Sequence, residues 1–134
     1  MENKKVAIYC RVARKDRDEI EKQKERLTQY CLFNKYEIYK IYEDIGFSGL
    51  DNNRPSYNEL LNDLKKNEFD EVVVWSLNSL EKNISKLFTI LDLIDNSKCD
   101  LISLSENINL QSTTGHLFKR MLEIFSLIES DENE

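Results

Sequence analysis

The residues of this sequence best suited to chemistry are charged side chains at the ends of apolar, strand-like runs. Arg11 follows one such run, Asp44 and Arg54 bracket the loop after another, and Lys82 closes a polar segment after a third. A guanidinium matches the oxygens of a phosphate with a rigid fork of donors, and a lysine offers a point charge. Taken singly, such arginines are usually surface residues and such an aspartate a turn residue. The elements that position them therefore decide their interpretation.

Four apolar runs predict β-strands, and they alternate with four stretches that predict helices. The strands are predicted at 5–10, 36–42, 69–75 and 100–104, and the helices at 18–34, from Pro55 onward, 84–94 and 114–129. This order predicts an α/β domain with helices packed on a largely parallel sheet. Ligand chemistry in such domains lies at the carboxyl ends of the strands. Those ends correspond here to segments 10–17, 44–54, 76–82 and 105–115.

Length and composition restrict the classes of function. The 134 residues predict a single domain. Cys10, Cys31 and Cys99 are an odd set at unrelated spacings, and the lone His116, expected to face solvent, has no partner motif. We therefore expect no disulfide framework and no metal site. The formal net charge of −6 counts against tight independent DNA binding, which depends on neutralising phosphates.

The location of the protein is predicted from its apolar runs and its first residues. No apolar run approaches the length of a membrane span, and the amino terminus enters a strand pattern directly. Free cysteines without disulfide spacing fit a reducing compartment. We therefore expect a cytoplasmic protein without membrane contact.

The four predicted strand ends together resemble the catalytic domain of serine recombinases, the resolvase and invertase family. The family's Tyr-x-Arg-Val-Ser motif aligns with Tyr9-Cys10-Arg11-Val12-Ala13. Its Asp, Gly-x-Ser-Gly and Arg-Pro signature aligns with Asp44, Gly46-Phe47-Ser48-Gly49 and Arg54-Pro55. Its Leu-Asp-Arg-Leu-x-Arg motif aligns with Leu77-Asn78-Ser79-Leu80-Glu81-Lys82, and its acidic-Asn segment and Gly-led helix with Glu106-Asn107 and Gly115. Each piece is weak alone, but four in the family's order make a strong match.

This resemblance implies a three-layer α/β fold, with a mostly parallel central sheet of four to five strands, helices on both faces and a long C-terminal helix. It also implies phosphoryl transfer without metal or cofactor, in which a serine hydroxyl attacks a DNA phosphodiester and forms a phosphoserine link. That step needs a nucleophilic oxygen and guanidiniums around the phosphate. By the same resemblance, Arg11 and Arg54 contact the scissile phosphate, Asp44 orients the arginines, and Tyr9 lies beside the pocket.

The sequence departs from the family pattern at positions that carry the chemistry. Ala13 stands where the family has its nucleophilic serine, and a methyl group has no lone pair to attack phosphorus. Asn78 replaces an acid, and Ser79 and Lys82 replace arginines. Arg17 stands where many members carry glutamine. Lys82 can still bind a phosphate as a point charge, so we expect the DNA-phosphate contacts from Lys82 and the retained arginines.

The predicted last helix is apolar over much of its circumference. It carries a stripe of Leu117, Met121, Ile124 and Ile128, widened by Phe118, Leu122 and Phe125. Such a stripe is ordinarily a core face, but this one is wider than one sheet face requires. The resemblance implies a dimer interface at Leu117, Met121, Ile124, Phe125 and Ile128. We expect a domain at 1–129 and an acidic tail at 130–134, without the family's DNA-binding domain.

Three hypotheses follow for the function. In the first, the chain is a cleavage-incompetent recombinase-like protein that binds DNA weakly alone, forms homodimers or pairs with an active recombinase, and so regulates DNA recombination. In the second, it is an active-site variant or a fragment of a functional recombinase. In the third, it is an α/β phosphate- or nucleotide-binding module. Ala13 separates the first two, and protection of Arg11 and Arg54 by a small phosphate ligand would favour the third.

Overall fold

A five-stranded sheet with the order β2-β1-β3-β4-β5 forms the centre of the protein, in a computed structural model that describes residues 3–132. The strands are β1 Lys5–Val12, β2 Glu37–Ile45, β3 Glu71–Val74, β4 Asp100–Ser103 and β5 Ile108–Asn109. The first four pair in parallel, and β5 pairs antiparallel with β4. Consequently the carboxyl ends of β1, β2, β3 and β4 share one edge of the sheet.

Helices cover both faces of this sheet. They are α1 Arg17–Phe33, α2 Pro55–Lys65, α3 Ile84–Asn96 and α4 Thr113–Glu132, and a 3-10 turn spans Leu77–Ser79. On one face, α1 contributes Ile20, Leu27 and Cys31 to a cluster with Ile8 and Val73. The neighbouring strand residues point to the opposite face, because side chains alternate along a strand. There α2, α3 and α4 complete the second and larger cluster.

The fold class implied by the sequence is confirmed, with two differences at the strand ends. The predictions ended the first two strands at residues 10 and 42, but β1 continues through Val12 and β2 through Ile45. Arg11 and Asp44 therefore lie within strands, as direct neighbours across the ladder. The apolar pattern of the sequence ends before these two residues because both are charged. Their side chains are nevertheless buried, and hydrogen bonds satisfy their polar atoms. The strand β5 was not predicted, since two residues are too few to show a pattern.

The helix α4 begins against the backbone of the segment that follows β5. A Cβ atom at Gly115 would overlap the carbonyl oxygens of Asn109 and Leu110, so this close approach requires glycine. From there α4 continues through Glu132, past the predicted end at residue 129, and residues 133 and 134 of the predicted tail lie outside the described residues. Across residues 3–132, no helix combines the length and the apolar character needed to cross a membrane.

Candidate active site

The retained arginines meet at the shared edge of the sheet, where both bind one backbone carbonyl. The carbonyl of Ser79 accepts from Nε of Arg11 at 3.2 Å and from Nη1 of Arg54 at 3.1 Å. Arg11 reaches it from β1, and Arg54 from the residue that precedes α2. Three segments distant in sequence are thereby joined at one point. The prediction that Arg11, Arg54 and Ser79 lie together follows from the parallel strand order, but the use of a carbonyl was not foreseen.

Arg54 is fully enclosed by the protein. Its side chain has 0 % exposure, and each of its five N–H donors has an acceptor within the chain. The acceptors are the carbonyls of Asp51, Ser79 and Leu80, the hydroxyl of Tyr9 and the carboxylate of Glu81. The guanidinium also stacks on the ring of Tyr57, 3.8 Å from its centroid. Direct contact between Arg54 and a phosphate would require at least one of these hydrogen bonds to break.

Arg11 keeps part of its donor capacity. Three of its five N–H groups are used, by the carbonyls of Ser79, of Asn78 at 2.8 Å and of Phe47 at 3.0 Å. One donor therefore remains on each terminal nitrogen of this residue, which is 8 % exposed. Burial lowers the pKa of Arg11, but an arginine remains charged at any physiological pH.

Asp44 makes no hydrogen bond to either arginine, and the orienting role that the resemblance implies for it stays a prediction. Its carboxylate accepts from the backbone N–H groups of Ser56 and Tyr57, both at 3.0 Å, and from the hydroxyl of Tyr9 at 2.7 Å. It therefore caps the first turn of α2, which has Pro55 but no side-chain cap of its own. Asp44 reaches Arg54 only through Tyr9, whose hydroxyl accepts from Arg54 at 3.2 Å.

Tyr9 is buried between the guanidinium of Arg54 and the carboxylate of Asp44. Its hydroxyl donates to Asp44 and accepts from Arg54, so both capacities of the oxygen are used. Burial and the hydrogen bond to Asp44 both raise the pKa of this phenol well above its usual value. Tyr9 therefore remains a neutral link between Asp44 and Arg54 throughout the physiological range.

Two carboxylates that the sequence reasoning did not assign a role support the segment after β3. Glu106 accepts from the backbone N–H of Leu77 at 3.2 Å, and so satisfies the start of the 3-10 turn that presents the carbonyls. It also binds the hydroxyl of Ser103. Glu81 pairs with Arg54 at 3.2 Å and accepts from the hydroxyl of Tyr57 at 3.0 Å. The sequence motif did not indicate a role for Glu81, because this residue occupies the variable position x of the family's Leu-Asp-Arg-Leu-x-Arg motif.

Ala13 is exposed and lies directly beyond the end of β1. Of the two serines in the matched segments, Ser48 is exposed and its hydroxyl accepts from the backbone N–H of Leu50 at 3.1 Å, whereas Ser79 is buried. The exposed residues Arg14 and Lys15 follow Ala13 and open onto solvent.

The loop before α2 comes close to Arg11 and Lys82 at Gly49. A Cβ atom on Gly49 would lie 2.8 Å from the side chain of Lys82, 3.1 Å from the carbonyl of Asn78 and 3.3 Å from Arg11. The stem of Lys82 therefore lies at this same edge of the sheet, and its residue is exposed. Asn78 and Arg17 are exposed as well. Of the positions that differ from the family pattern, Ser79 is therefore the buried one and the others lie at the surface.

The apolar stripe of α4 faces solvent and not the core. Leu122 and Phe118 contact the larger cluster, whereas the stripe residues and Leu127 are 48 % to 62 % exposed. The exposed group comprises Leu117, Met121, Ile124, Phe125, Leu127 and Ile128. These side chains form an exposed apolar surface along one helix, and the interface that the resemblance implies there stays a prediction. The ordinary interpretation of the stripe as a core face is therefore wrong for this chain.

Neither the cysteines nor the other possible ligands form a reactive or metal-binding group. Burial raises the pKa of Cys31 to about 11 and those of Cys10 and Cys99 to about 12. The thiols therefore stay protonated at neutral pH. In the part of the chain that the structure describes, His, Cys, Asp and Glu form no cluster of three or more able to hold a metal ion.

Comparison with known proteins extends the match to nearly the whole chain. The family model "Resolvase, N terminal domain" matches residues 6–134. The chain is 25% identical over 123 residues to the transposon Tn917 resolvase of Enterococcus faecalis, and 31% identical over 98 residues to the transposon Tn552 DNA-invertase BinR of Staphylococcus aureus. These alignments cover 92% and 72% of the chain, but 61% and 50% of the relatives, so the chain spans little more than half their length.

A solved structure agrees with the fold in detail. The N-terminal catalytic domain of TP901-1 integrase is 34% identical to this chain and superposes with a TM-score of 0.90. The alignment covers 98% of this chain and 100% of that domain. The fold of this chain is thus that of a known catalytic domain.

The cap on α2 predicts a large effect from a minimal change at Asp44. Asp44→Asn replaces one acceptor oxygen by an NH2 group, which would face an N–H donor of Ser56 or Tyr57 or the hydroxyl of Tyr9. We expect the free energy of unfolding to fall by about 2–4 kcal/mol, the combined cost of a buried unsatisfied donor and a lost cap. Urea denaturation measures this fall in the free energy of unfolding.

The matched control is Asp51→Asn. Asp51 accepts from the backbone N–H of Asn53 at 2.9 Å in an exposed turn, where asparagine serves equally well. Equal stabilities of the two variants would contradict the assigned role of Asp44.

Proposed function

Because this chain belongs to the resolvase family of serine recombinases, we propose that it binds DNA phosphate without cutting the strand and regulates DNA recombination through its dimers. The observation that carries the proposal is Ala13. This residue occupies the family's nucleophile position, beyond the end of β1 and two residues from Arg11. A phosphoserine link needs a hydroxyl oxygen there, and alanine provides none.

Loss of the nucleophile is sufficient to abolish measurable cleavage. Removal of the nucleophilic serine alone costs about six orders of magnitude in a well-studied hydrolase. In this chain the cost is compounded by weaker charge stabilisation, since Ser79 and Lys82 stand in place of arginines. Arg54 has no free donor, so Arg11 and Lys82 supply the contacts available to a phosphate. We therefore expect weak binding of DNA by the domain alone.

Dimerisation is proposed from the exposed stripe of α4. A symmetric pair of such helices would bury the same apolar side chains on both copies, as a two-fold interface requires. The same surface would accept the equivalent helix of an active recombinase. A mixed dimer would then contain one site without a nucleophile, and recombination that needs both sites would be inhibited.

Restoring the missing chemistry tests the proposal about cleavage. The variant Ala13→Ser, combined with Asn78→Asp, Ser79→Arg and Lys82→Arg, carries the family residues at these four positions and leaves Arg17 unchanged. We expect a covalent protein–DNA product from this variant on the cognate recombination site, and none from the wild-type chain, because the wild-type position has no attacking oxygen. Denaturing gel electrophoresis with labelled DNA detects the product.

The single variant Ala13→Ser is the matched control, because it restores the hydroxyl but not the arginines that the family has at positions 79 and 82. We expect it to cleave less than the full set, since the phosphate charge is less well balanced. A covalent product from the wild-type chain would contradict the proposal, because some other hydroxyl would then be the nucleophile.

A charge placed in the exposed stripe tests the proposed interface. We expect Ile124→Glu to convert a dimer of the wild-type chain into a monomer, since burial of an unpaired carboxylate is costly. Sedimentation equilibrium measures the change. The control is Phe33→Glu, because Phe33 is the most exposed large apolar residue outside α4, at 87 %. We expect this variant to remain dimeric.

The same measurement extends to mixtures with an active recombinase from the same genome. Co-sedimentation of the two proteins, lost in Ile124→Glu, is the expected result. A wild-type chain that stays monomeric both alone and in the mixture would overturn the regulatory proposal.

A further inference from the structure

Glu81 provides the single charged partner among the five acceptors of Arg54. Its Oε1 lies 3.2 Å from Nη2 of the arginine and also accepts from Tyr57, and its side chain is 12 % exposed. The other acceptors of Arg54 are three carbonyls and one hydroxyl. Solvent screens an ion pair this enclosed much less than a surface pair. The pair therefore presents almost no net charge to its surroundings.

We propose that Glu81 is an internal anion that occupies Arg54 in place of a phosphate. While the carboxylate is bound, the guanidinium offers neither a free donor nor an uncompensated charge. An incoming phosphate would have to displace Glu81 or bind without help from Arg54. This inference deepens the proposed function and rests on it, since it explains how a retained arginine can contribute little to DNA binding.

The effect of Glu81 extends to Arg11 through their shared neighbour. Both arginines bind the carbonyl of Ser79, so the guanidinium with unused donors lies next to the neutralised one. Burial lowers the pKa of Arg11, and of the nearby charges Arg54 acts in the same direction whereas Glu81 opposes it. Removing the charge of Glu81 would therefore raise the positive potential at the donors of Arg11, where a phosphate would bind.

An ion pair that only stabilises the fold makes a different prediction. If Glu81 merely holds Arg54 in place and no phosphate binds near the pair, its substitution lowers the stability but leaves the DNA affinity of the folded protein unchanged. If Glu81 occupies the phosphate site, its substitution increases the affinity and also the salt dependence, because a further positive charge becomes available to the DNA.

The experiment compares Glu81→Gln with Glu68→Gln. Both remove one negative charge, but Glu68 is exposed and lies just before β3, at the opposite edge of the sheet. Binding of a short fluorescein-labelled duplex is measured by fluorescence anisotropy over a series of salt concentrations. We expect Glu81→Gln to bind roughly two- to tenfold more tightly than Glu68→Gln, the range for one unit charge near the site. We also expect the slope of log K against log salt to steepen by up to about 0.9. Equal affinities and slopes would overturn the inference.

The Nε–H signals of Arg11 and Arg54 in the wild-type chain decide the matter if Glu81→Gln fails to fold, since an unpaired buried arginine is destabilising. We expect titration with the duplex, followed in a nitrogen-15 NMR spectrum, to shift the Arg11 signal and to leave the Arg54 signal in place, because Glu81 keeps the Arg54 guanidinium occupied. A shift of the Arg54 signal as large as that of Arg11 would overturn the inference. Neither result depends on cleavage, so covalent product from the wild-type chain would reject the proposed function separately.

Discussion

The structure depends on the burial of two guanidiniums around one turn of backbone. Arg11 and Arg54 share the carbonyl of Ser79, and together they also bind the carbonyls of Asn78 and Leu80. A buried charge is tolerated only where its hydrogen bonds are satisfied, so the chain around it is constrained. Three carboxylates stabilise this part of the chain. Glu81 forms an ion pair with Arg54, Glu106 accepts from the backbone at the start of the 3-10 turn, and Asp44 binds Tyr9 and the start of α2.

In this arrangement the fold does not depend on the residue at position 13. Ala13 is exposed beyond the end of β1, so the change from hydroxyl to methyl breaks no buried contact. Arg54 has the opposite character, because its removal would leave three carbonyls, one hydroxyl and one carboxylate without their donor. Catalytic and structural demands therefore fall on different residues of the same site. The fold therefore requires Arg54 whether or not a bond is cut at this site.

The sequence predicted the fold class well because the strand and helix patterns are strong. The buried runs of β1 and β3 and the amphipathic stretches after them require a parallel α/β sheet, and this brings Arg11, Asp44 and Arg54 to one edge. The partners of the arginines could not be predicted, since they are mostly carbonyls and any residue type supplies a carbonyl. For the same reason the sequence indicated only that Ser79 stands in place of a family arginine. It did not indicate that the backbone carbonyl of Ser79 binds both guanidiniums. The orientation of α4 was also undetermined, because its apolar residues fit either a core or an interface.

The state of Arg54 can be observed directly through hydrogen exchange of its Nε–H in a nitrogen-15 NMR spectrum. A guanidinium enclosed by five acceptors should give a resolved Nε–H signal that exchanges far more slowly than those of the exposed Arg14 and Arg17. That protection should persist when duplex DNA is added. Exchange as fast as that of Arg14 would contradict a structural arginine, and would mean that the guanidinium is open to solvent and free to hold a phosphate.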